Sequence, residues 1–157
     1  IWRYGEESSS RKIASEIVKK RKIKLIRTTE NLCEIIVEVK KNIFFKNKKH
    51  PATKTFQGIR IFINNELGEL ELFLENSLEL LKPKGRLCII SFHSLEDRIV
   101  KRFFRDQSRI DPNLSRLPNV QDTSSLKVIA KKIKPMISEI RLNPRSRSAV
   151  LRVAERI

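Results

Sequence analysis

LCIISFHSLEDRIVKRFF, residues 87–104, carries two different periods on either side of one turn. Leu87, Cys88, Ile89, Ile90 and Phe92 form a short apolar run without alternation, which predicts a strand buried on both faces, as in a parallel sheet. From Ser94 the spacing turns helical. Ile99 with Phe103, and Val100 with Phe104, give one buried stripe. Ser94 is a good helix cap, and Asp97 three residues on is placed to bond back to it. Strand, turn and helix in this order predict an α/β fold. In open α/β sheets ligands bind beyond the carboxyl ends of the strands, so His93 and Ser94 are the candidate cleft residues.

Upstream, the pattern is helical. Leu67, Leu70, Leu74, Leu78 and Leu81 share a face, accompanied by Glu66, Glu69, Glu71, Glu75 and Glu79. Pro83 and Gly85 end that run. A further helix begins near Thr53 with Phe56, Ile59 and Ile63, after a break at His50-Pro51. Lys40 to Lys49 reads as a basic connector with two Phe. Before it, Thr28 or Thr29 caps a helix whose Leu32, Ile35, Ile36 and Val39 form one face. Arg11 to Arg21 is a helix with Ile13 and Ile17 inward. Downstream, Asp106 to Ser125 is a polar loop holding Pro112 and Pro118. Leu126, Val128 and Ala130 predict a strand, Ser138 caps a short helical turn that Pro144 interrupts or restarts, and Ala149 to Ile157 forms a last strand.

The 157 residues suffice for one sizeable core. The net charge of +16 and pI near 10.3 point to a polyanionic partner, nucleic acid first and an anionic membrane surface second. The positive charge is clustered. Arg11, Lys12, Lys19 and Lys20 open one group; Lys54 and Arg60 lie in or near a second; Arg102 follows the turn; Arg145 and Arg147 flank Ser146. Each cluster alone is a solvated face, but together they read as a phosphate-binding surface. Aromatic residues are few, so an RNP-type stacking platform is disfavoured. Cys33 and Cys88 are read as small core residues in a reducing compartment. No metal site is expected, because two Cys and two His at these spacings match no ligand pattern. No apolar run approaches about 18 residues, so no membrane span is expected, and no secretory leader is read. The chain opens Ile1-Trp2-Arg3 and is read as a piece of a longer protein.

The glycines exclude one chemistry from these residues. Gly5, Gly58, Gly68 and Gly85 stand apart, so no glycine-rich strand-to-helix loop for a nucleotide-like cofactor exists. Ser94 lacks the glycines of a nucleophile elbow, and adjacent His and Ser do not suit triad geometry. From spacing alone, a helix cap and a hydrogen-bonded turn residue are the preferred roles for Ser94 and His93.

Four runs carry a resemblance. They are YGEE at Tyr4–Glu7 with IASEIV at Ile13–Val18; HPATKTFQGIRIFINNELGELE at His50–Glu71; LKPKGRLCIISFHSLEDRIVKRFFR at Leu81–Arg105; and NPRSRSAVLRVAERI at Asn143–Ile157. With them the chain resembles the ribosomal RNA small subunit methyltransferase H family, also called MraW, nearly end to end. Lys84 departs from the family, which usually has Gly there.

The resemblance implies a partial Rossmann-like class I methyltransferase sheet, its last three strands, with an inserted helical substrate-recognition domain. It divides the chain into residues 1–66, most of that insert, and residues 67–157, the carboxyl-side part of the methyltransferase domain. It implies a cytoplasmic enzyme that uses S-adenosylmethionine to methylate the exocyclic amino nitrogen of a cytidine at the decoding centre of 16S rRNA. The family's cofactor-binding residues lie in an amino-side half with no counterpart here, so none is assigned in this chain. His93 and Ser94 carry over as cleft residues only, and the chain by itself is expected to be inactive and poorly stable. The alternative is a non-enzymatic, basic RNA-binding or ribosome-associated protein; a decayed remnant is a third reading. Labelled S-adenosylmethionine is expected not to bind the isolated chain at micromolar concentration in equilibrium dialysis. Micromolar binding would overturn the assignment of the donor site to the absent half.

Overall fold

The computed structural model describes residues 1–44, 50–108 and 124–157. The chain forms two compact units, Ile1–Glu66 and Leu67–Ile157. The first is helical: α1 (Trp2–Gly5), α2 (Ser10–Ile23), α3 (Thr29–Phe44) and α4 (Thr53–Ile63). Its core gathers Ile13 of α2, Ile36 of α3 and Ala52 ahead of α4, with Ile17, Leu32 and Val39 packed around them. The Thr28 hydroxyl accepts the Asn31 N–H at 3.3 Å and so caps α3. That helix runs on to Phe44, so the first part of the expected basic connector is helical instead. The remainder of the connector, residues 45–49, lies outside the described residues.

Two devices fix the helices of this unit. At the first, α1 meets α4 backbone to backbone. A Cβ at Gly58 would stand 2.9 Å from the Gly5 nitrogen, and one at Gly5 would collide with the Lys54 carbonyl. Only glycine permits that approach. At the second, Glu7, 1% exposed, takes Lys40 Nζ of α3 at 2.7 Å. The same ammonium reaches the Pro51 carbonyl at 2.9 Å, and the other Glu7 oxygen accepts the Ser9 N–H at 3.0 Å. A buried carboxylate is tolerable because each of its oxygens is hydrogen-bonded and one is ion-paired.

The second unit contains α5 (Glu66–Leu80), β1 (Arg86–Ser91), α6 (Ser94–Gln107), β2 (Leu126–Ile133), α7 (Ile137–Leu142), a 3-10 turn (Pro144–Ser148) and β3 (Val150–Arg156). The three strands form an antiparallel sheet in the order β1-β3-β2. Leu74 of α5, Leu87 of β1, Val100 and Phe104 of α6, Leu126 of β2 and Ala154 of β3 make its core. The α/β class is thus realised, as are the strands read at Leu126 and Ala149 and the helix after the turn. Ser138 lies inside α7, which starts after Met136 without a side-chain cap. Pro144 opens the 3-10 turn, whose first N–H is held by the Asn143 side chain at 3.2 Å. The polar loop read at Asp106–Ser125 is helical at its start, and residues 109–123 lie outside the described residues.

The burial expected of β1, and with it of Cys88, is corrected. The apolar run of β1 is not buried on both faces within a parallel sheet. Its burial alternates, with Leu87 and Ser91 inward and Cys88 and Ile90 outward, and Ile90 is 58% exposed. Its one neighbour is antiparallel β3, so β1 is an edge among the described strands. Apolar composition records what a face is suited to, while pairing and cover depend on which segments are present.

The turn into β1 contains Lys84, at φ 66°. That left-handed conformation costs a side-chain-bearing residue roughly 1 kcal/mol that glycine avoids. The turn persists because Lys84 N–H donates to the Arg156 carbonyl and Gly85 N–H to the Lys82 carbonyl, both at 2.8 Å. Lys84→Gly is expected to raise the midpoint of thermal unfolding by about 2–4 °C; an unchanged or lowered midpoint would mean that the turn is unstrained.

Candidate functional site

β1 ends inward at Ser91, and Phe92 and His93 turn the chain into α6. The cap sits one residue earlier than the sequence implied. His93, at φ −138° and ψ 165°, is the N-cap, and its Nδ1 accepts the Glu96 N–H at 3.3 Å. Glu96 returns the favour: its Oε2 accepts the N–H of Phe92 at 2.8 Å and of His93 at 3.3 Å. This is a capping box with imidazole where Ser or Thr is usual. Ser94 is already the first helical residue, so it is not the cap and Asp97 is not its return partner.

Asp97 does something else. Its two oxygens take Arg152 Nε at 2.8 Å and Nη2 at 2.9 Å, a bidentate clasp between α6 and the central strand β3. Arg152 is buried, and its remaining Nη1 donates to the Lys131 carbonyl of β2. The Arg152 hydrogen bonds hold the Asp97 carboxyl below the usual carboxylate range, against the opposing effect of burial. One side chain thereby joins α6, β3 and β2 immediately behind the turn.

Two polar atoms at that turn are buried without a hydrogen-bond partner: Ser91 Oγ and His93 Nε2. The latter stands 3.2 Å from Glu96 Oε1 but off the line of a hydrogen bond. Because Nδ1 accepts a backbone N–H, the neutral ring carries its proton on Nε2. A hydroxyl able to donate or accept therefore ends β1, and a ring N–H able to donate stands in the turn two residues on. Buried polar groups left unpaired cost free energy, so these two atoms are the ones at this turn open to a further hydrogen-bonding group. Of the two residues singled out in the sequence, His93 lies in the turn and Ser94 within the helix, while Ser91, not singled out, ends β1 inward. Ser91 was legible in retrospect: it is a polar residue in the inward register of Leu87 and Ile89.

The basic residues divide into two kinds. Lys20 donates to Glu38 at 3.0 Å, which raises the lysine pKa and lowers that of the glutamate. Lys54 donates to the Glu6 carbonyl at 2.9 Å, Arg60 clasps Glu66 at 2.7 and 3.0 Å, Lys19 lies 3.6 Å from Glu16, and Arg102 lies 3.7 Å from Asp106. Such residues contribute to helix packing as well as to surface charge. Arg11 and Lys12 on α2, and Arg145 and Arg147 on the 3-10 turn, are exposed. Each unit thus presents basic side chains of its own.

The described residues do not fit S-adenosylmethionine. The strand-to-helix connections, residues 92–93 and 134–136, contain no glycine. Gly5 and Gly58 are occupied with each other, Gly68 lies within α5, and Gly85 is at the amino end of β1, the wrong end for a ligand.

The model of the MraW methylase family matches residues 1–157. Relatives named ribosomal RNA small subunit methyltransferase H are similar over the same range. That of Xylella fastidiosa strain M23 is 49% identical over 161 residues, covering 100% of this chain and 51% of the relative. That of Marinomonas sp. strain MWYL1 is 52% identical over 160 residues, covering 100% and 50%. That of Xanthomonas oryzae pv. oryzae strain PXO99A is 47% identical over 158 residues, covering 100% and 46%. The chain spans about half the length of the curated relatives it matches.

The clasp behind the turn is testable through its acid limb. The folded Asp97 pKa is depressed, so its stabilisation is complete above the unfolded value of about 3.9 and disappears as pH falls through the lower folded value. Asp97→Asn is therefore expected to lower urea stability at pH 7 and to converge with the parent as the pH falls through that lower folded value. Equal loss at both pH values would assign the effect to packing instead of charge.

Proposed function

The chain belongs to the MraW methylase family, and on that premise we propose that it is the carboxyl-side part of a methyltransferase acting on RNA of the small ribosomal subunit. The acceptor in this reading is the exocyclic amino nitrogen of a cytidine in 16S rRNA, at the decoding centre, and the enzyme works in the cytoplasm with S-adenosylmethionine. The relatives' names support an rRNA substrate. No helix among the described residues is long and apolar enough to cross a membrane.

The observation that carries the reading is the pair of unpartnered buried atoms, Ser91 Oγ and His93 Nε2, at the carboxyl end of β1. A cytosine amino nitrogen is a weak nucleophile, because its lone pair is delocalised into the ring. Catalysis on it consists largely of orientation, on a base drawn out of its stack. The hydroxyl and the imidazole N–H are groups suited to hold polar edges of such a base, and the Asp97–Arg152 clasp keeps them in place. Residues 1–66 and the exposed Arg145 and Arg147 meet RNA phosphates, each such contact adding to salt dependence. The donor is gripped by segments outside this sequence.

The test is reconstitution. This chain is co-produced with the part of the Xylella fastidiosa relative that precedes the matched range, then incubated with unmodified small subunits and methyl-labelled donor. The chain alone is expected to transfer nothing, and the reconstituted pair to place label on N4-methylcytidine after digestion to nucleosides. Label on another nucleoside overturns the acceptor. RNA binding without transfer by a folded pair reduces the protein to a non-enzymatic RNA-binding factor.

A further inference from the structure

The chain has one Trp and one Tyr, and both stand in the single turn of α1. That turn is pressed against α4 by the Gly5–Gly58 contact. The approach brings the Tyr4 ring to Phe62 of α4, with centroids 6.3 Å apart and planes 32° from parallel. The Arg3 guanidinium lies over Tyr4, 5.3 Å from its centroid. A cation and two rings therefore follow one another in series. Phe62 is 71% exposed and Trp2, in the same turn as Arg3 and Tyr4, is 69% exposed.

A surface of this composition fits one kind of occupant. The outer side of β1, with Cys88 and Ile90, is largely apolar, and its one cation, Arg86, is paired with Glu155 at 3.1 Å, which suits polypeptide. The α1–α4 surface instead couples open π-faces to a guanidinium, in a segment where sixteen Lys and Arg stand against seven Glu. Nucleobases stack on aromatic rings and on guanidinium planes regardless of sequence, while Arg also takes phosphate in bidentate fashion. Low aromatic content spoke against an RNP-type platform; the fold concentrates what there is, joining residues 58 positions apart in sequence.

We propose that the Arg3–Tyr4–Phe62 series is a stacking platform for an unpaired base of the RNA, through which residues 1–66 distinguish single-stranded from duplex segments. This rests on the RNA reading above and adds to it the class of segment bound. Because Trp2 is the only Trp, its emission reports on this turn alone.

The full chain is titrated with a single-stranded oligoribonucleotide of about 10 nucleotides, long enough to cover one binding module, and with the same strand as a duplex. The single strand is expected to quench Trp2 emission and the duplex to leave it unchanged. Phe62→Leu, a substitution at an exposed site, is expected to weaken single-strand binding roughly tenfold at an unchanged salt slope, since a base contact and no phosphate contact is removed. Lys19→Gln is expected to weaken both forms alike. Circular dichroism checks that each variant is folded. Parental affinity and quenching in Phe62→Leu would overturn the platform while leaving RNA binding intact. Absence of binding to either RNA would instead remove the RNA reading, and the platform with it. Quenching by the relative's preceding half, with none by RNA, would reassign the surface to polypeptide.

Discussion

The clasp of Arg152 on Asp97 is the interaction on which the second unit turns. Arg152 lies on the central strand, opposite Ile89 of β1, and spends its guanidinium on α6 on one side and on the β2 backbone on the other. Removing the carboxylate would strand a buried cation. Removing the cation would leave α6 held by apolar packing, by its short link to β1 and by the Ser125 N–H on the Gln107 carbonyl at 2.9 Å, without that side-chain bond from α6 to the central strand. Packing of Val100 and Phe104 makes the unit compact; the ion pair decides in which register α6 sits. That register in turn fixes the capping box at His93 and the direction in which Ser91 and the imidazole present their polar atoms.

The first unit solves the same problem with different chemistry. Its helices are short and its core small, so a buried Glu7–Lys40 pair and a glycine-to-glycine crossing fix how they meet. Both devices begin in the four residues YGEE, which would otherwise read as an undistinguished polar start. Gly5 permits the crossing and Glu7 reaches α3; Glu6 between them adopts φ 48° to make the corner.

Much of this was legible in the letters. The change of period at residues 92–94 marks the strand-to-helix turn because backbone geometry leaves no other way to bury Leu87 and Val100 in one core. The helical stripes at Ile13, Ile36 and Leu74 were readable for the same reason. What was not readable depends on approach in space. Asp97 and Arg152 are 55 residues apart, and nothing local marks either as the partner of the other. The cap at His93 was misassigned to Ser94 because Ser outranks His in cap preference, while the decisive fact is which residue lies just outside the helix. The double-sided burial of β1 was inferred from composition, which does not report whether a second layer is present.

The uncovered border of β1 has a consequence for how this polypeptide behaves in quantity. Among the described residues that strand has one unengaged row of amides and carbonyls, flanked by outward Ile90, and such a row is a template on which another copy can pair. The surplus of sixteen positive charges keeps such copies apart through mutual repulsion. Polyanions and concentrated electrolyte both erase that repulsion, so the nucleic acid that would draw the protein to its task also removes its chief protection against coalescence. The colloidal fate of the chain is thereby tied to how quickly that border finds its proper cover.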